Sequence, residues 1–138
     1  MRLKVRYPNL RQIFLSSRIY GGYATTPLNP EPYAYESAFA VKWLVEAQIQ
    51  QGLASGGSDP RAGDLSYGLT PWLAWGPYFW ANGTKPRSDG LTWQSSEYGT
   101  DGTHPSSAAN QKVGRMLLDF FKASPFTRCW FLAGQHCA

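Results

Sequence analysis

Long apolar runs are missing from this 138-residue chain. None approaches the roughly 20 consecutive apolar residues a membrane-spanning helix needs, so a membrane partner is not expected. Clusters of one charge are missing too. The thirteen Lys and Arg residues are scattered, and a net charge of +4 without a basic run gives no footprint for a nucleic acid. Histidine, cysteine and methionine occur twice each. There is no Cys-x-x-Cys pair, no His-rich spacing and no Gly-rich phosphate loop, so no cofactor and no metal are expected. His136 lies between Cys129 and Cys137, but three clustered donors without a fourth make a poor zinc site. The two thiols either bridge a tail loop in an oxidising compartment or stay free in a reducing one. The first eight residues carry charge without an apolar h-region and do not read as a signal peptide. The compartment is therefore left open.

Aromatic residues are plentiful, with six Trp, eight Tyr and seven Phe. With 43% hydrophobic residues, a core of ordinary size is available to one domain spanning 1–138. The first ten residues read as the end of something, with a turn signal at Tyr7-Pro8-Asn9. Ile13-Phe14-Leu15 then reads as a buried parallel strand that opens into the loop Ser16 to Gly22. In open α/β sheets such a loop is where ligands bind. Three prolines hold 25–35 extended. A helix over about 35–51 follows, with Phe39, Ala40, Trp43, Leu44 and Ala47 as its apolar stripe, widened by Val41, Val45 and Ile49. Glu36, Lys42, Glu46, Gln48 and Gln50 occupy its polar positions. Residues 52–63 are a Gly/Ser-rich loop. The segment 69–80, rich in Trp and interrupted by Pro71 and Pro77, fits either one short strand or irregular turns. A last helix over about 106–122 is capped by Ser106 or Ser107, with Val113, Met116, Leu117, Phe120 and Phe121 on one face.

Chemistry is concentrated in Asp101-Gly-Thr-His104-Pro-Ser. A carboxylate two residues removed from an imidazole, in a loop bent at Gly102, can orient the ring and stabilise its cation while the ring takes a nucleophile's proton. A bare Asp-x-x-His is more often only a turn. The longer string, running into a terminal amphipathic helix, resembles the last block of the SGNH hydrolases, the GDSL-type esterases and lipases. Residues 14–24 and 30–36 also resemble bacterial SGNH-like proteins, so the likeness covers nearly the whole chain, with 101–106 as its one specific motif. The resemblance implies an α/β fold, a partial three-layer α/β/α sandwich of the SGNH or flavodoxin-like kind, with a few mainly parallel strands and flanking helices. It implies an ester hydrolase acting on acyl esters or acetylated carbohydrates, with Asp101 as triad acid and His104 as general base.

The family's nucleophilic Gly-Asp-Ser and its oxyanion donors have no counterpart here. Gly63-Asp64-Leu65-Ser66 has similar letters in the wrong order. The chain therefore resembles the C-terminal half of such an enzyme. Ser16 and Ser17, at the strand end, are the candidate nucleophiles; water activated by His104 is the other route. Arg18, Tyr20, Trp75 and Trp80 are the candidate substrate-binding residues, Arg18 for an anionic group and the tryptophans as a platform for sugar or acyl groups. If half of the sheet is absent, uncovered apolar surface favours a homo-oligomer. Two other functions stay open: a non-catalytic remnant that binds carbohydrate or a partner, and a glycoside hydrolase drawing two carboxylates from Glu31, Glu36, Asp89, Glu97 and Asp101.

Overall fold

The computed structural model describes residues 2–25, 31–53 and 55–137. In chain order the elements are α1 (Arg2–Arg6), β1 (Gln12–Leu15), α2 (Tyr33–Gly52), β2 (Trp72–Trp75), a 3₁₀ turn (Ser95–Glu97), α3 (Ser107–Ala123) and α4 (Arg128–Phe131). The fold is α/β, built on a two-stranded parallel sheet. Gln12 faces Trp72 and Leu15 faces Trp75. Pro71 and Pro77 bracket β2 rather than interrupt it, which resolves the 69–80 segment as holding one short strand.

The pairing does not stop where the strands do. Gly76 N–H donates to Leu15 C=O at 2.7 Å, and Tyr20 bridges Trp80 in the same parallel sense and register. Between these points the two backbones part, and the Ser17 hydroxyl fills the gap by accepting from the N–H groups of Phe79 at 2.7 Å and Trp80 at 3.3 Å. A side-chain oxygen thus replaces a ladder carbonyl, and the strand ends stay aligned as far as residues 20 and 80.

α2 buries a face that only partly overlaps its apolar stripe, of which Ala47 is buried and Leu44 half-buried. Ala34, Ala38, Ala47 and Gln48 are buried, whereas Trp43 and Ile49 are 59% and 52% exposed. The reason is Gln48, which sits at a polar position of the pattern but points inward. Its amide nitrogen donates to the carbonyls of Leu65 (3.1 Å) and Pro71 (2.9 Å), and its oxygen accepts from Leu73 N–H at 2.7 Å. One amide thereby satisfies three backbone groups where the chain enters β2. Gln51 does similar work beside it, accepting from Leu65 N–H and donating to Asp64.

α3 follows its 3.6-residue pattern. Ser106 is the cap, its hydroxyl accepting from Ala109 N–H. Phe120 meets Phe14 of β1 edge-on at 5.2 Å. Ala109, Val113 and Met116 pack on a cluster formed by Ala81, Leu91, Trp93 and Tyr98. Trp93 is fully buried, and its indole N–H donates to Phe79 C=O at 2.7 Å. The cluster also packs against Ile19 and Tyr23 of the segment leaving β1.

Past α3, a disulfide joins Cys129 to Cys137. It closes a short loop around α4, whose Phe131 stacks on Phe121 of α3. Closing a loop this short restricts the unfolded chain by about 2–3 kcal/mol. Reduction, or the Cys129→Ser/Cys137→Ser pair, is expected to lower unfolding stability by about that amount. A denaturant midpoint unmoved by reductant would contradict it. Among the described residues no helix is long and apolar enough to cross a membrane.

Candidate active site

Residues 99–105 form a tight loop whose backbone is bonded at both ends. Gly99 N–H donates to His104 C=O (2.8 Å), Gly102 N–H to Gly99 C=O (2.9 Å) and Ser106 N–H to Glu97 C=O (2.9 Å). Tyr98 bridges Pro105 in antiparallel fashion. On the other side the loop is gripped by the segment leaving β1: Thr25 donates to Asp101 C=O from both its N–H (3.1 Å) and its hydroxyl (3.2 Å). Gly102 has φ +65°, and a Cβ there would lie 1.7 Å from Tyr23 C=O. Only glycine allows both the turn and the contact.

Within this loop Asp101 is pinned. Its Oδ1 accepts from the N–H groups of Thr103 and His104, both at 3.0 Å, and its Oδ2 is hydrogen-bonded to His104 Nδ1. The Thr103 N–H, then the His104 ring and backbone N–H, hold the Asp101 carboxyl down to about 2. A carboxylate can only accept, so the proton of a neutral ring sits on Nδ1 and Nε2 is left as the base. Asp101 is one-third exposed and His104 84% exposed, so Nε2 faces solvent. Because the Asp101 pKa is depressed in the folded state, its contribution is complete above about pH 4 and is lost as pH falls toward about 2. Proton–nitrogen spectra of the His104 ring are therefore expected to keep the Asp101 contact throughout pH 4–8, and to lose it only in acid. Loss of the contact near pH 6 would contradict the geometry.

Lys112 of α3 braces the segment that precedes the loop. Its ammonium donates to Thr92 C=O and to Glu97 Oε1 (3.0 Å), and lies 4.4 Å from the centre of the Trp93 ring. Glu97 also accepts from Gln94 N–H, which closes the 3₁₀ turn leading to Tyr98. Nothing about a lone lysine in a periodic helix announces this part; the spacing between Glu97 and Lys112 is too long to read as a helical pair.

The other sequence candidates fall in two groups. Tyr20 and Trp80 line a cavity of about 380 Å³ with Glu31, Tyr35 and Asn82 at the ends of the aligned strands. Glu31 accepts from the Trp80 indole N–H at 2.5 Å and from Tyr35 N–H at 3.0 Å, and the Tyr35 and Trp80 rings meet edge to face at 5.2 Å. Burial, then the Glu31 charge, raises the Tyr20 phenol. Trp75 lies in a neighbouring apolar cavity of about 290 Å³ with Tyr35, Phe39, Lys42 and Tyr78. Gly22 lines the first cavity and Thr25 grips the Asp101 loop. Three residues span at most about 11 Å, so cavity and loop are neighbours. Arg18 is exposed and lines neither cavity.

Ser16 and Ser17 make contacts with groups other than His104. Ser17 is buried with its hydroxyl bonded as described, and the Ser16 hydroxyl lies against Gly76. Among the described residues no hydrogen bond joins either serine to the imidazole. Nor, among them, is any group of three His, Cys, Asp or Glu side chains placed to hold a metal. Compared with protein-family models, curated proteins and solved structures, the chain matches none.

Proposed function

We propose that this chain carries the acid–base half of an SGNH-like ester hydrolase, with His104 as general base and Asp101 as the carboxylate that orients it. The observation that carries the proposal is the bond from His104 Nδ1 to Asp101 Oδ2, which leaves Nε2 free to accept a proton at the surface. In the proposed reaction Nε2 takes the proton of an attacking hydroxyl as its oxygen bonds to the ester carbonyl carbon. The imidazolium is stabilised by Asp101. When the ester C–O bond breaks, the proton passes to the departing alkoxide. We take the attacking oxygen to be that of water; what supports this is that the Ser17 hydroxyl accepts from Phe79 and Trp80 and the Ser16 hydroxyl lies against Gly76.

The adjoining cavity supports the proposed substrate class. Trp80, Tyr35 and Tyr20 give the cavity an aromatic lining and Glu31 an acceptor, which suits an acyl ester on a sugar or another polyhydroxylated alcohol. Glycoside hydrolysis is less well supported, because it requires facing carboxylates. Glu31 is bound to Trp80 and Tyr35, Asp89 to Arg87, Glu97 to Lys112 and Asp101 to His104. The fold is proposed to be part of a three-layer α/β/α sandwich. What supports this is that α2 shares a cavity with Trp75 while Phe120 of α3 covers Phe14, residues that alternation puts on opposite faces of the sheet.

A serine-directed phosphonate, followed by mapping of any adduct by mass spectrometry, tests the choice of attacker. Ester turnover with no adduct at Ser16 or Ser17 is expected. An adduct at either serine that disappears in His104→Ala would transfer the attack from water to that hydroxyl.

A further inference from the structure

The open edge of β1 is the least satisfied part of the sheet. Trp72 N–H donates to Arg11 C=O and Gly76 N–H to Leu15 C=O, so Arg11, Ile13 and Leu15 face β2. In a parallel ladder the intervening residues turn their peptide groups the other way, so Gln12 and Phe14 direct theirs outward. The outer edge of β2 is covered in part, because Leu73 N–H donates to Gln48. Among the described residues no loop or side chain does this for β1.

Beside this edge runs a groove of about 650 Å³ between α1 and β1, walled by Leu3, Tyr7, Leu10 and Ile13, with Arg6 as its only charged lining residue. Leu3, Val5 and Tyr7 are exposed at 41%, 85% and 60%.

Charge selects the occupant. Every charged residue among the first thirty is basic, namely Arg2, Lys4, Arg6, Arg11 and Arg18, and the first acid is Glu31. Two copies meeting edge to edge would set these cations against each other, which disfavours a second copy. We propose that the open edge of β1, with the α1–β1 groove, binds an extended polypeptide segment that is apolar at alternate positions and acidic at its ends, added as a third strand. Main-chain bonds to Gln12 and Phe14 would hold the strand, the groove would take its apolar side chains, and Arg6 and Arg11 would select its flanks.

The test uses the full chain and fluorescent ten-residue peptides with the same alternating Val/Thr core, flanked by Glu or by Lys, read by anisotropy. The Glu-flanked peptide is expected to bind at least about tenfold more tightly than the Lys-flanked one, with binding weakened by salt. Arg6→Glu/Arg11→Glu, both surface changes, is expected to reverse the preference. N-methylation of alternate peptide residues, which removes donors without touching the protein, is expected to abolish binding in one register and spare it in the other. Equal binding of the two peptides, binding indifferent to N-methylation, or no binding would overturn the proposal. So would a dimer in sedimentation that persists in Arg6→Glu/Arg11→Glu and that the Glu-flanked peptide does not displace, since the edge would then belong to a second copy.

Discussion

Asp101→Asn is expected to leave the loop folded and yet lower turnover of an acyl ester by about a hundredfold to ten-thousandfold. The variant keeps an oxygen to accept from the N–H groups of Thr103 and His104, so the backbone bonds that shape residues 99–105 survive. Its amide nitrogen, however, now faces His104 Nδ1 and can only donate. The ring then accepts at Nδ1 and carries its proton on Nε2, the position that has to be basic. The variant is thus expected to melt near the wild-type temperature and to show the opposite ring tautomer in nitrogen chemical shifts. If Asp101→Asn hydrolyses esters as fast as wild type while the tautomer flips, Asp101 has no part in the chemistry. If neither changes, the Asp101–His104 bond is absent in solution.

The second large effect concerns stability. Gln48→Met keeps length and volume but removes an amide that makes three buried bonds. Leu73 N–H and the carbonyls of Leu65 and Pro71 would be left without these partners, at a cost of about 3–5 kcal/mol. That is a large fraction of the total stability of a typical domain, about 5–15 kcal/mol. The denaturant midpoint is expected to fall accordingly. Gln48→Glu is expected to be no better, because it keeps an acceptor for Leu73 N–H but presents a carboxylate to two carbonyls. A loss below about 1 kcal/mol in Gln48→Met would mean that water replaces the amide and that the entry to β2 is less buried than it stands here.

Several features were legible from the residues because they depend on local chemistry. Ser106 caps α3, Val113, Met116 and Phe120 share a face, and Asp101 with His104 close one loop around Gly102. All of these are set by neighbours within one or two turns. What escaped depends on distant partners. Gln48 belongs to the polar half of the α2 pattern, yet its partners lie 17 to 25 residues onward, and they draw it inside while Trp43 is left outside. Glu31 reads as one acid in a proline-rich stretch until Trp80, 49 residues away, supplies its donor. Ser17 reads as a small residue after a strand, or as a nucleophile. Its role in the fold, bridging two parting backbones, requires β2 to be in place.

Both cavities at the strand ends owe their shape to this alignment, because Tyr35 of α2 contacts Trp80 from one side and borders Trp75 on the other. In the proposed reaction, substrate selection and protonation would rest on different parts of the chain. The cavities come from the strand ends and α2, whereas His104 comes from the loop before α3, and the segment 20–25 touches both. Changes at Trp80 should accordingly act on substrate affinity, and changes at His104 on the chemical step.

The most direct test of the proposed activity is the rate of hydrolysis of an activated aryl acetate by wild-type chain and by His104→Ala at equal concentration and neutral pH. Turnover above background in the wild type, lowered at least about hundredfold in the variant, is the predicted result. Equal rates in the two proteins, or no turnover in either, would contradict the assignment of His104 as a general base.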